Sequence, residues 1–185
     1  MKHKASLFLE LLNSFVTEYL PGAVGASPNT IKSYKAAFRL LLKYMYQEKS
    51  ISADQISFEA LNYQTMLDFL SWIEKSRGCS ATTKNQRLSA LASFSSYAQN
   101  RDFAAASTFR SSVTRIPMKK APHKNRAIFT RDEVTILLRL PADHYEIGLR
   151  DKVLLSLMYA SGARAQEICD LTVKGHSILG KRRFS

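Results

Sequence analysis

The residues best suited to chemistry lie near the end of the chain, in the run Gly162-Ala163-Arg164-Ala165-Gln166-Glu167-Ile168. A guanidinium is planar and permanently charged, and it can hold two oxygens of one anion through parallel hydrogen bonds. Glu167 follows Arg164 by three residues, about one helical turn, and could accept from the guanidinium or from nearby backbone and so hold Arg164 in place. Taken alone, the same pair is also an ordinary surface i,i+3 contact worth a few tenths of a kcal/mol.

A second group of candidates is basic. Lys32, Lys35, Arg39 and Lys43 recur along a segment in which Ile31, Tyr34, Phe38, Leu41 and Met45 form an apolar stripe. At about 100° per residue the four cations gather within about a quarter of a helix circumference, roughly 120° from that stripe. No acid interrupts this ridge, whereas an ordinary solvated face mixes in acids for i,i+4 pairing, so the spacing favours phosphate contact. Thr82, Lys84, Asn85 and Arg87 crowd what reads as the first turns of a later helix, where free N–H groups also face outward. They serve equally well as capping and surface residues. Lys119, Lys120, Lys124 and Arg126 complete the set, in a stretch that also holds Arg110 and Arg115 and no acid.

The composition agrees with an anionic partner. There are 27 Lys+Arg against 15 Asp+Glu, a formal net charge of +12, and neutralising phosphates releases condensed counterions. A basic but inert surface has the same composition. Apolar residues make up 45% of the chain, enough for a packed core. Cys79 and Cys169 stand far apart, with no His at zinc-finger spacing, so two free thiols and no metal site are expected. No run reaches the ~18 apolar residues of a membrane span and no cleavable leader is evident. A cytoplasmic, nucleoid-associated protein is expected.

The elements that must position these residues read as helices. The first carries Phe8, Leu11, Leu12, Phe15 and Tyr19 and is expected to stop at Pro21-Gly22. Ser27-Pro28 reads as an N-cap with proline in the first turn of a helix running to about Glu48. A third helix is expected over about Tyr63 to Ser76 with Met66, Leu67, Leu70 and Ile73 inward. A fourth spans about Ala81 to Asn100, capped by Ser80, with Leu88, Leu91, Phe94 and Ala98 inward. Without sustained period-two alternation this is an all-α bundle of four helices, residues 1–109. Residues 110–126, with Pro117, Pro122 and unopposed charges, read as an extended basic linker. In residues 127–185, Thr130 to Glu133 is a capping box opening a short helix that Pro141 ends. Another helix follows from about Ile147 to Tyr159 and stops at Ser161-Gly162, and a new turn begins at Ala163.

The run from Arg150 to Leu171 resembles the first catalytic block of the tyrosine recombinases, the phage-integrase family. There an apolar helix ends in a small-residue turn followed by Gly-x-Arg-x-x-Glu-hydrophobic and a leucine. Ser27 to Tyr34 and Thr82 to Tyr97 are similar to the best-marked stretches of that family's core-binding domain. The resemblance implies a mainly α, SAM-like core-binding bundle, a basic linker and the helical start of an incomplete integrase-type catalytic domain. It implies site-specific recombination or integration of DNA, as in mobile elements, with double-stranded DNA as partner and a possible homo-oligomer on it.

In such chemistry Arg164 would clamp the non-bridging oxygens as a phosphodiester is transesterified, and Glu167 would support it. A tyrosine would attack to give a 3′-phosphotyrosyl link, needing neither ATP, metal nor other cofactor. The family's other parts are a hairpin lysine, a His-x-x-Arg block, a further His or Trp and the nucleophile, and none of these is found. Lys174 and Lys181 lie in the direction of the lysine, and Gly175-His176-Ser177 matches the late Gly-His signature only by chance. Tyr19, Tyr34, Tyr44, Tyr46, Tyr63, Tyr97, Tyr145 and Tyr159 sit in or beside helical patterns, none placed as the nucleophile. The expectation is a chain truncated before its nucleophile and inactive alone. Two alternatives stay open: a catalytically silent DNA-binding regulator or remnant, and a helical protein–protein adaptor with incidental charge.

Overall fold

The computed structural model describes residues 6–120, 128–142 and 144–171. The chain divides into two compact units after residue 123. Among the described residues every regular element is helical.

The first unit begins with α1, Leu7–Ser14, whose N-cap Ser6 accepts from the Leu9 N–H. Phe8, Leu12 and Phe15 turn inward and are buried. The helical path does not stop at Pro21, as the sequence suggests, but continues as a π-helix over Phe15–Ala23. Proline breaks an α-helix by removing an N–H and by clashing with the carbonyl four residues back. The wider π turn bonds across five residues instead, and Val24 N–H donates to Tyr19 O at 3.0 Å. Leu20 thereby stays in the core, 2% exposed.

Helix α2, Pro28–Lys49, starts as its sequence dictates, with Ser27 Oγ accepting from Thr30 N–H. It buries Phe38, Leu41 and Met45 with Ala37, Leu40 and Tyr44. Helix α3, Tyr63–Arg77, is capped by the Asn62 side chain and ends at Gly78, whose φ of 59° is a left-handed conformation that glycine adopts without cost. Helix α4, Ala81–Arg101, capped by Ser80, buries Leu88, Leu91, Phe94 and Ala98.

A fifth helix, α5, Phe103–Thr114, was not expected. Its N-cap Asp102 is the sole residue between it and α4, and its side chain accepts from Ala105 N–H at 2.9 Å. Ala106, Phe109 and Val113 are buried, so α5 completes the core. It carries the chain across the expected boundary at residues 109 and 110, and the basic linker does not begin there. Arg110 is turned back on the domain, donating from Nη1 to Ala92 O at 3.0 Å. Arg115 lies over the Tyr63 ring, and Ile116 is 7% exposed.

The second unit contains α6, Arg131–Arg139, α7, Glu146–Ser161, and α8, Ala165–Cys169. Thr130 and Glu133 form the expected reciprocal capping box: Thr130 Oγ1 accepts from Glu133 N–H and Glu133 Oε2 accepts from Thr130 N–H. The bonds that Glu133 Oε2 accepts from the Thr130 N–H and from the Thr130 hydroxyl hold the Glu133 carboxyl below its usual range. Ile168 is the one apolar side chain buried among the described residues of this unit. Ile136, Leu140, Ile147 and Val153 are exposed.

Candidate nucleic-acid interface

The apolar stripe of α2 faces the core, which turns the opposite side of the helix to solvent. Lys32, Lys35, Arg39 and Lys43 are all exposed there. A shallow depression along this face is lined by Ile31, Lys32, Lys35, Ala36 and Arg39. No ion pair among the described residues involves any of the four cations, so their charge is available to an external anion.

The start of α4 is a junction with three neighbours. Thr82 is exposed. Arg87 Nη1 donates across to Ser33 O on α2 at 3.0 Å, the carbonyl just after Lys32, and its buried Nε finds no acceptor. Lys84 Nζ lies 2.9 Å from Glu74 Oε2 on α3, and only 15% of the Lys84 side chain is exposed. Asn85 holds the backbone of Lys119, its Nδ2 donating to Lys119 O at 2.8 Å and its Oδ1 accepting from Lys119 N–H at 2.9 Å. Lys84, Asn85 and Arg87 therefore have partners inside the domain, and Arg87 ties α4 to the ridge of α2. Lys120 is exposed, and Lys124 and Arg126 lie outside the described residues.

Glu74 gives no signal in the sequence, where it stands as one charge in Glu74-Lys75. In the fold its other oxygen, Oε1, is 2.6 Å from Lys119 Nζ. The Lys119 ammonium foremost, then that of Lys84, holds its carboxyl below the usual range. A carboxyl depressed on folding stabilises the fold above its unfolded pKa, and that contribution disappears as pH falls through the folded value. Glu74→Gln is thus expected to lower stability near neutral pH by about 1 kcal/mol, the upper end for solvent-accessible pairs. The deficit should shrink on acidification to about pH 3, below the ordinary carboxylate pKa. Melting temperatures of both proteins at the two pH values check this, and a deficit that does not change with pH would refute it.

In the second unit α7 ends at Gly162, φ 67°, and Arg164 is the N-cap residue of α8. Arg164 Nη1 donates to Glu167 Oε1 at 3.0 Å, while Glu167 Oε2 accepts from the Arg164 backbone N–H at 2.8 Å. One carboxylate thus fixes both ends of the residue whose guanidinium it steers. The Arg164 side chain is 86% exposed. Lys174, Lys181 and the Gly175 to Ser177 run lie outside the described residues.

Tyr19, Tyr34, Tyr44, Tyr63 and Tyr97 make ring contacts within the first unit. Tyr46, Tyr145 and Tyr159 are exposed. Among the described residues no group of three or more His, Cys, Asp or Glu could hold a metal ion, and no helix is long and apolar enough to cross a membrane.

The family model of the phage integrase SAM-like domain matches residues 7–116, the span from α1 to the residue after Arg115. An integrase/recombinase-named protein of Sinorhizobium fredii, y4rC, is 33% identical over 161 residues, covering 87% of this chain and 48% of that protein. Tyrosine recombinase XerC of Xanthomonas axonopodis is 29% identical, covering 86% of this chain and 52% of its own length. Tyrosine recombinase XerD of Haemophilus influenzae is also 29% identical, covering 92% and 53%. The chain spans about half the length of the curated relatives it matches. No solved structure matches it.

Proposed function

The chain belongs to the tyrosine recombinases through its phage integrase SAM-like domain, and from that premise we propose that its five-helix unit binds double-stranded DNA for site-specific recombination. The observation that carries this reading is the exposed, acid-free ridge of Lys32, Lys35, Arg39 and Lys43 on α2. Four cations with no ion-pair partner among the described residues can replace the counterions condensed on a duplex backbone, while the core behind α2 fixes their spacing. Exposed Thr82 and Lys120 extend the surface, and Lys124 and Arg126 are proposed to follow along the backbone. Arg87 adds no outward contact that the ridge needs; it holds α4 against α2.

Arg164 is proposed as the guanidinium that grips the non-bridging oxygens of a scissile phosphate, with Glu167 as its positioning residue. Support comes from the carboxylate that binds both the guanidinium and the Arg164 N–H, which limits the rotamers open to the arginine. On this reading the protein binds DNA in the cytoplasm.

A gel-shift titration tests the reading. Log K for any duplex should fall linearly with log salt, with a slope of about 0.9 for each phosphate neutralised. Four ridge contacts alone give a slope of roughly 3.6. Absence of binding to every duplex at low salt would remove the proposal.

A further inference from the structure

Asn85 sits half-buried on the first turns of α4. Both of its hydrogen-bonding ends are engaged by one residue, the oxygen by Lys119 N–H and the nitrogen by Lys119 O. That is the pairing a neighbouring strand would give Lys119, supplied by a side chain. The segment needs it, because after Ile116, the last buried apolar residue among the described residues of the first unit, the chain leaves α5 with no ladder of its own as far as Lys120, and Pro117 has no N–H to donate. Glu74 adds a third hold through the Lys119 ammonium. Ile116 and Lys119 are thus two fixed points, three residues apart, which together set the direction in which the chain departs.

We infer that Asn85 is a positioning residue for DNA binding: with Glu74 it latches the chain leaving α5 to the start of α4, and so presents Lys119 and Lys120 to the duplex backbone as a preformed extension of the basic face. This inference rests on the DNA-binding reading above. The Lys119 side chain is 53% exposed despite its contact with Glu74, and its ammonium retains donors for a phosphate. Released from the latch, the Lys119 ammonium is no longer held toward the duplex and its phosphate contact is lost, so the latch strengthens binding although Asn85 itself does not touch the nucleic acid.

The test is a double-mutant cycle on the 185-residue chain with one duplex. Asn85→Ala should weaken binding about 5-fold and lower the salt slope by about 0.9, the equivalent of one phosphate contact. Alanine is the better helix former, and an unchanged melting temperature for the variant would confirm that the fold survives. In a Lys119→Ala, Lys120→Ala background, adding Asn85→Ala should cost no more than about 2-fold, because the residues it acts through are gone. Equal losses in both backgrounds, or an unchanged slope, overturn the inference. Hydrogen exchange at the Lys119 amide separates the latch from the DNA reading. If the parent chain binds no duplex, the reading fails and the positioning role with it, while slower exchange in the parent than in Asn85→Ala still marks the latch as a structural contact. Equal exchange in the two proteins rejects the latch itself.

Discussion

Reversing two charges of the α2 ridge together, Lys35→Glu with Arg39→Glu, should lower affinity for every duplex by about 30-fold or more at ~0.15 M salt, and reduce the salt slope by about 1.8. The estimate counts two lost phosphate contacts and leaves out the added repulsion, so it is a lower bound. Both residues are exposed on a helix whose opposite face buries Phe38, Leu41 and Met45. Neither is in an ion pair among the described residues, so the substitutions strand no buried partner. Glutamate also has a good helix propensity. The melting temperature should therefore stay within a few degrees of the parent, surface changes of this kind being worth about 0.5 kcal/mol. Quantitative gel shifts at several salt concentrations check the prediction. An affinity equal to the parent's would take α2 out of the footprint and leave the net charge without a mapped surface.

That ridge was legible in the sequence because its two causes are local. Helical periodicity fixes which residues share a side, and the apolar stripe fixes which side is inward. The caps were legible for a similar reason: Ser27, Ser80 and Thr130 each accept from an N–H three residues on, a contact that needs no tertiary information. Glu167 belongs to the same class, since a carboxylate three residues beyond Arg164 reaches both the guanidinium and the N–H within one turn.

What the sequence concealed depends on distant partners. Helix α5 has a weak apolar pattern, with three alanines, a serine and a threonine between Phe103 and Phe109, and its Arg110 looks like the first charge of a linker. Only the carbonyl of Ala92 and the hydroxyl of Ser95 on α4 show why that cation belongs in a helix. Pro21 signals a stop whenever the alternative is an α-helix, and the π turn that accommodates it leaves no mark in the spacing of apolar residues. Lys84, Asn85 and Arg87 are separated by 10, 34 and 54 residues from the groups they bind. A one-dimensional reading sees four polar residues at a helix start. The fold shows three of them setting the positions of α2, α3 and the departing chain, which makes them indirect supports of the basic face.

The largest stability loss should come from Phe94→Ala, expected to cost about 3–5 kcal/mol and to lower the melting temperature by more than about 10 °C. Phe94 is fully buried at the centre of a cluster of aromatic rings. Its centroid lies 5.5 Å from Phe8, 5.4 Å from Phe15, 5.2 Å from Phe38 and 6.0 Å from Phe109, rings supplied by α1, the π-helix, α2 and α5. Removing it leaves a cavity that no single neighbour can fill, since each of those rings is itself packed from several sides. Set against the ~5–15 kcal/mol that holds a domain folded, the loss is large enough to release α2 from α4. Duplex binding should then fall with the folded fraction, and it should recover on cooling toward the temperature of greatest stability, while the Lys35 and Arg39 substitutions should stay defective at every temperature. Urea unfolding with parallel binding measurements separates the two. A loss below about 1 kcal/mol would show that the surrounding rings collapse into the space, and the aromatic cluster would then not be what fixes α2 and its cations in register with α4.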